Sequence, residues 1–130
     1  MRVNVRSLLC VLIILRKKLP PEDSQLAVAL AELGETLLAQ NKADDAAPLL
    51  RECLAIREKM QPDDWTTFNT QSMLGGALLG QKKYAEAEPL LLAGYNGMKQ
   101  RELAIPPQAA QDRIPESIDR LIELYSDWHT

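Results

Sequence analysis

The chain has 130 residues, a formal net charge of −3 and a sequence pI of about 5.2. That length holds one domain with a real core, and the acidic balance disfavours a nucleic-acid backbone as partner. Aromatic residues make up only 5%, which suits closely packed helices of Leu, Ala and Ile and argues against a platform for stacking bases.

The first apolar run is Ser7–Leu15, SLLCVLIIL, preceded by Arg2 and Arg6. It resembles the charged and apolar regions of a signal peptide. A run this short does not span a bilayer. Arg16, Lys17 and Lys18 follow at once, with no small-x-small cleavage pattern. The favoured reading is a helix; a targeting or membrane-touching segment is the alternative. The short basic runs Arg16–Lys18 and Lys82-Lys83 complement the dipoles of helix ends.

Pro20-Pro21 makes a turn, and Asp23 or Ser24 can cap the helix that follows. From Gln25 to Gln40 apolar residues recur at Leu26, Leu30, Leu33 and Leu37, one face at helical spacing. Asn41 suits the left-handed residue that closes such a helix. The next helix starts near Ala43, with Asp44 and Asp45 in its first turn. Its expected buried stripe is Ala46, Leu49, Leu50, Cys53, Leu54 and the stem of Arg57. Pro48 lies inside it and should cost a hydrogen bond and kink it.

Gln61-Pro62-Asp63-Asp64 is a second turn and cap. Trp65–Gly80 is predicted as a helix of the first type, and Tyr84 to about Arg101 as its partner. The partner's stripe is Tyr84, Ala87, Leu90, Leu91, Tyr95 and Met98, again with an internal proline, Pro89. Ile105-Pro106-Pro107 stops it. A last helix is expected from about Pro115 to Trp128. No useful stretch alternates with period two, so no sheet is expected.

An internal repeat ties these elements together. Leu33–Leu50 and Leu74–Leu91, offset by 41, agree at ten of eighteen positions, where unrelated sequences agree at roughly one. A period of this size marks stacked repeats. Leu8, Leu9, Arg16, Lys18, Pro21 and Asp23 continue the offset backwards. Forwards it stretches to 47, with Ile118, Leu121 and Tyr125 replacing Gln71, Leu74 and Leu78. One repeat domain over 1–130 follows: a partial unit (1–18, second helix), whole units (24–60 and 65–102) and a partial unit (114–130, first helix).

Leu33-Gly34, Leu37, Ala46, Leu50 and Cys53, and in the next unit Leu74-Gly75, Leu78, Ala87, Leu91 and Gly94, make the chain resemble the tetratricopeptide repeat family. The long period and the phrase KKYAEAEPLL are similar to the longer variant found in kinesin light chains and many bacterial proteins. The resemblance implies an all-α helix–turn–helix solenoid of about six antiparallel helices. Gly34 and Gly75 remove a side chain where helices cross, and Ala46 and Ala87 do so from the facing helix. Ile122 stands at the midpoint glycine position of the last unit, and Lys82 at a turn position usually held by glycine.

Family geometry puts first-type helices on the concave wall. The positions implied to face inward are Val28, Ala31, Glu35 and Leu38; Asn69, Ser72, Gly76 and Leu79; and Glu116, Asp119, Glu123 and Asp127. The first two sets are small or apolar; the last is an acidic stripe, softened by Arg120. Together they suit a peptide with an apolar part and a basic end, although a plain solvated helix face has the same pattern. The Lys/Asn/Arg clamp by which some relatives hold acidic tails is missing, because Ala31, Glu35, Ser72 and Gly76 occupy its positions.

No catalytic site, cofactor or metal is expected. His129 is the single histidine and is next to last, a poor place for a rigid triad. Gly75-Gly76 and Gly80 lie within a helix and form no phosphate-cradling loop. Cys10 and Cys53 have no CxxC spacing, and they point to a reducing, cytoplasmic setting. The functional expectation is a protein-interaction scaffold. Alternatives are a non-catalytic segment of a larger signalling enzyme such as a bacterial protein kinase, or a membrane-associated adaptor held by residues 1–18. The apolar helices at either end are read as marking a longer repeat protein or self-association.

Overall fold

The computed structural model describes residues 4–129. The helices are α1 (Val5–Lys18), α2 (Ser24–Ala39), α3 (Ala43–Met60), α4 (Trp65–Gly80), α5 (Tyr84–Gln100) and α6 (Pro107–Trp128). A short 3₁₀ turn, Glu102–Ala104, links the last two, and no strand occurs among the described residues. The fold is the all-α helix–turn–helix array expected from the repeat. Helices α2 and α3 form one hairpin, and α4 and α5 a second.

Local chemistry sets the helix ends. Asp23 caps α2 by accepting from the Gln25 amide at 2.8 Å. The first helix of each hairpin closes the same way. Asn41 and Lys82 take left-handed φ of 59° and 62°. Their amides bond Leu38 and Leu79, and those of Lys42 and Lys83 reach back to Leu37 and Leu78. This double bond satisfies carbonyls that would otherwise be free. Asn tolerates the left-handed conformation; Lys gains nothing from it. Helices α3 and α5 run through Pro48 and Pro89. Both prolines are exposed, so the carbonyls they leave unpaired lie where water can reach.

The repeated glycines place the helices. A Cβ on Gly34 would come within 2.5 Å of the Leu50 side chain, and one on Gly75 within 2.7 Å of that of Leu91. Each leucine fills the hollow its glycine leaves, and both are fully buried together with Ala46 and Ala87. Leu26, Leu30, Leu33 and Leu37 are all buried, as the helical spacing predicts. In α3 the buried set differs slightly: Leu49 is half-buried, while Ala47 and Ile56 are buried. Between α3 and α4 the packing turns polar. Buried Arg57 donates to Thr70 Oγ1 at 2.8 Å. The Cys53 thiol donates to the Ala27 carbonyl at 3.2 Å, and burial raises its pKa.

Two boundaries depart from the sequence reading. Helix α6 begins at Pro107, well before Pro115. Pro107 is at the first helical turn, where a proline is preorganised and its missing N–H costs nothing. Pro115 is then an internal proline on the exposed side. In α1 the 41-residue register is off by one: Leu8 and Leu12 are buried and Leu9 is exposed. Helix α1 packs mainly on α2, with Arg16 tied to Glu52 of α3, and in that seat it turns Leu8 and Leu12 inward. The 47-residue offset places Leu121 against the core, but Ile118 and Tyr125 stay exposed, with the Tyr125 hydroxyl donating to Glu88 of α5 at 2.7 Å.

Candidate functional site

The first-type helices α2, α4 and α6 line one wall of the array, and a cleft of about 410 Å³ opens there. Its floor comes from Leu38 and Ala39 at the end of α2 and from Gly76, Leu79 and Gly80 of α4. Asn41 and Ala43 close one end, and Glu116, Arg120 and Glu123 of α6 form the opposite rim. The small residues keep the floor low. A Cβ on Gly80 would come within 2.7 Å of the Ala43 methyl, so the α2–α3 turn sits directly against α4.

Two arginines of α6 bind this wall together. Arg113 donates to both carboxylate oxygens of Glu35, at 2.5 and 3.3 Å, and to Glu116 at 3.2 Å. A bidentate arginine–carboxylate pair fixes geometry as well as charge. Burial works against the Arg113 cation, but the Glu35 hydrogen bond and charge outweigh it and raise its pKa. Arg120 is more deeply enclosed, and burial lowers its pKa despite the nearby Glu116. It stays charged regardless, since arginine does not lose its proton in proteins. Its guanidinium donates to Ser72 Oγ at 2.9 Å and lies 3.9 Å from Glu116.

The twelve residues predicted to face inward divide in the structure. Glu35, Leu38, Gly76, Leu79, Glu116 and Glu123 all line the cleft. Ala31, Asn69 and Ser72 are buried; Ser72 is covered by Arg120. The Asn69 Oδ1 is enclosed with no hydrogen-bond partner among the described residues. Val28, Asp119 and Asp127 are exposed outside the cleft. Gly76 is less open than its sequence suggested, since a Cβ there would come within 3.0 Å of Arg120 Nε. Leu79 is part of the buried core as well as the cleft floor.

Sequence reasoning missed Arg113, and it gave Arg120 too small a part. Arg113 precedes the expected start of the last helix. With α6 starting at Pro107, Arg113 and Glu116 are three apart on one helix face, a pairing the sequence would have shown. Among the described residues, no three His, Cys, Asp or Glu side chains gather in a metal-binding group. No helix among them is long and apolar enough to cross a membrane.

Residues 26–60, the α2–α3 hairpin, match a family model described as a tetratricopeptide repeat. No curated protein matches the chain.

Proposed function

We propose that the chain, whose α2–α3 hairpin matches the tetratricopeptide repeat family, is a non-catalytic scaffold holding a partner peptide in the α2–α4–α6 cleft. Repeats of this family generally mediate protein–protein contact. The observation that supports this site is the cleft itself. It has a low, partly apolar floor at Leu38 and Leu79 and carboxylates at Glu35, Glu116 and Glu123, with one arginine, Arg120, among its lining residues. Glu35 and Glu116 are engaged by Arg113, which leaves Glu123 as the exposed acid at the rim. An apolar side chain would seat on the floor while a lysine or arginine beside it meets that rim. The same chemistry makes a peptide with a basic flank the proposed ligand.

The test is a peptide-display selection on the immobilised chain, with each selected peptide then titrated against variants. Leu38→Glu places a charge on the floor at a half-buried position and should weaken binding on the order of tenfold or more. Glu123→Gln should weaken peptides with a basic flank by a few-fold, and the loss should shrink at high salt. Leu79 is unsuitable for this test, since its burial means that a charge there would unfold the array. Selected peptides that bind both variants as well as the parent would place recognition on another surface.

A further inference from the structure

The two outermost helices carry open apolar faces of opposite kinds. Helix α1 sits on α2 as a second-type helix sits on the next first-type helix. Because Leu8 and Leu12 are its buried residues, α1 aligns with α3 at an offset of 42, not 41. Val11 and Ile14 then stand where α3 has Cys53 and Ile56. Those two are buried in α3, whereas Val11 and Ile14 are 45% and 51% exposed. Their side of α1 is where a preceding first-type helix would lie.

Helix α6 shows the reverse. Its offset of 47 puts Ile122 and Tyr125 at the places of Gly75 and Leu78, which α5 covers in the second hairpin. In α6 Ile122 is 60% exposed, while Tyr125, 39% exposed, leans on α5 and donates its hydroxyl to Glu88 at 2.7 Å, so the open face centres on Ile122. This face is shaped for a second-type helix.

The charges are complementary too. Among the described residues α1 carries Arg6, Arg16, Lys17 and Lys18 and no acid, with three of the four in its last turn. Helix α6 carries five carboxylates against two arginines, and the arginines turn toward α2 and α4, at Glu35 and Ser72. In a hairpin the end of the second helix lies beside the start of the first. Arg16 is held by both carboxylate oxygens of Glu52 on α3, so it is Lys17 and Lys18 of the last turn of α1 that would meet the N-terminal half of α6, where Asp112 and Asp119 are exposed.

We propose that α6 of one copy and α1 of a second copy pack as an antiparallel hairpin, completing a repeat unit between molecules and joining copies head to tail. Ile122 replaces the glycine that admits a close crossing inside the chain, so this hairpin is wider than the internal ones. Because the two faces are different surfaces, the contact does not close on itself at two copies. It leaves the cleft open and does not depend on what the cleft binds.

Light scattering of the 130-residue chain over a concentration series is the test, using Val11→Glu and Ile122→Glu, whose side chains are exposed. Circular dichroism checks that both variants keep the parent's helicity. The parent's mean mass should rise with concentration past that of two chains. Each variant alone should stay monomeric over the same range, its self-association weakened on the order of 100-fold by a charge in an apolar contact. An equimolar mixture should form a species of two chains and stop there, since each variant keeps one sound face. A monomeric parent at the highest concentration overturns the proposal, as does a mixture that stays monomeric. One variant that still associates would show a symmetric contact instead. A monomeric parent that sediments with anionic vesicles would assign the α1 face to a membrane surface.

Discussion

The two hairpins, α2–α3 and α4–α5, reach the same fold by opposite distributions of bulk. Around the shared crossing they agree: Gly34 receives Leu50 and Gly75 receives Leu91. Toward the other end they exchange sizes. Ala27 on α2 becomes Phe68 on α4, and Ile56 on α3 becomes Gly97 on α5, each at an offset of 41. The Phe68 ring occupies the space that a Cβ on Gly97 would need. Arg101 then covers the ring with its guanidinium 4.3 Å from the ring centroid and donates to the Gly97 carbonyl at 3.1 Å. Likewise Cys53 becomes Gly94. In the first hairpin the thiol reaches the Ala27 carbonyl; in the second a Cβ on Gly94 would sit 2.7 Å from the Phe68 carbonyl and the Ser72 amide. What the repeat keeps is the volume between paired helices, not the residue at each position.

That exchange can be broken and restored. Gly97→Ile should be the most damaging change, since the Phe68 ring must leave, with a cost of about 3 kcal/mol or more. Phe68→Ala alone should cost about 2–4 kcal/mol through the cavity it leaves. The double variant rebuilds the arrangement of the first hairpin and should be more stable than the sum of the two losses by about 1 kcal/mol or more. Urea melts of all four forms supply the cycle; strict additivity would mean the two sites do not share one space.

Gly94→Ala should come next. Its Cβ would press on backbone, which cannot turn aside as a side chain can, and α5 must move off α4. About 2 kcal/mol is expected. Cys53→Ala, at the matching place in the first hairpin, should cost less. Equal shifts in melting temperature would show that the second crossing is no tighter than the first.

The smallest effect concerns the turns. Asn41 and Lys82 hold the same left-handed conformation, but a lysine there is strained. Lys82→Gly should relieve the strain and stabilise by up to about 1 kcal/mol, after the entropy glycine adds to the unfolded chain. The same change at Asn41 should gain less, and thermal melts of the two variants compare them directly.

Much of the array was written in the sequence because its causes are local. The leucines of α2, the cap at Asp23, the left-handed Asn41 and the glycine–leucine crossings each depend on residues a few positions apart or on a pattern that recurs at 41. Tertiary structure alone decided three further things. It rolled α1 so that Leu8 and not Leu9 is buried, because the seat of α1 on α2, with Arg16 tied to Glu52 of α3, sets which side faces inward. It exchanged bulk between Phe68 and Gly97, which share a space without sharing a pattern. It also joined Arg113 to Glu35 across 78 residues, making a wall of the cleft from two charges. Helical periodicity says which side of a helix is apolar; which helix covers that side depends on the placement of all its neighbours at once.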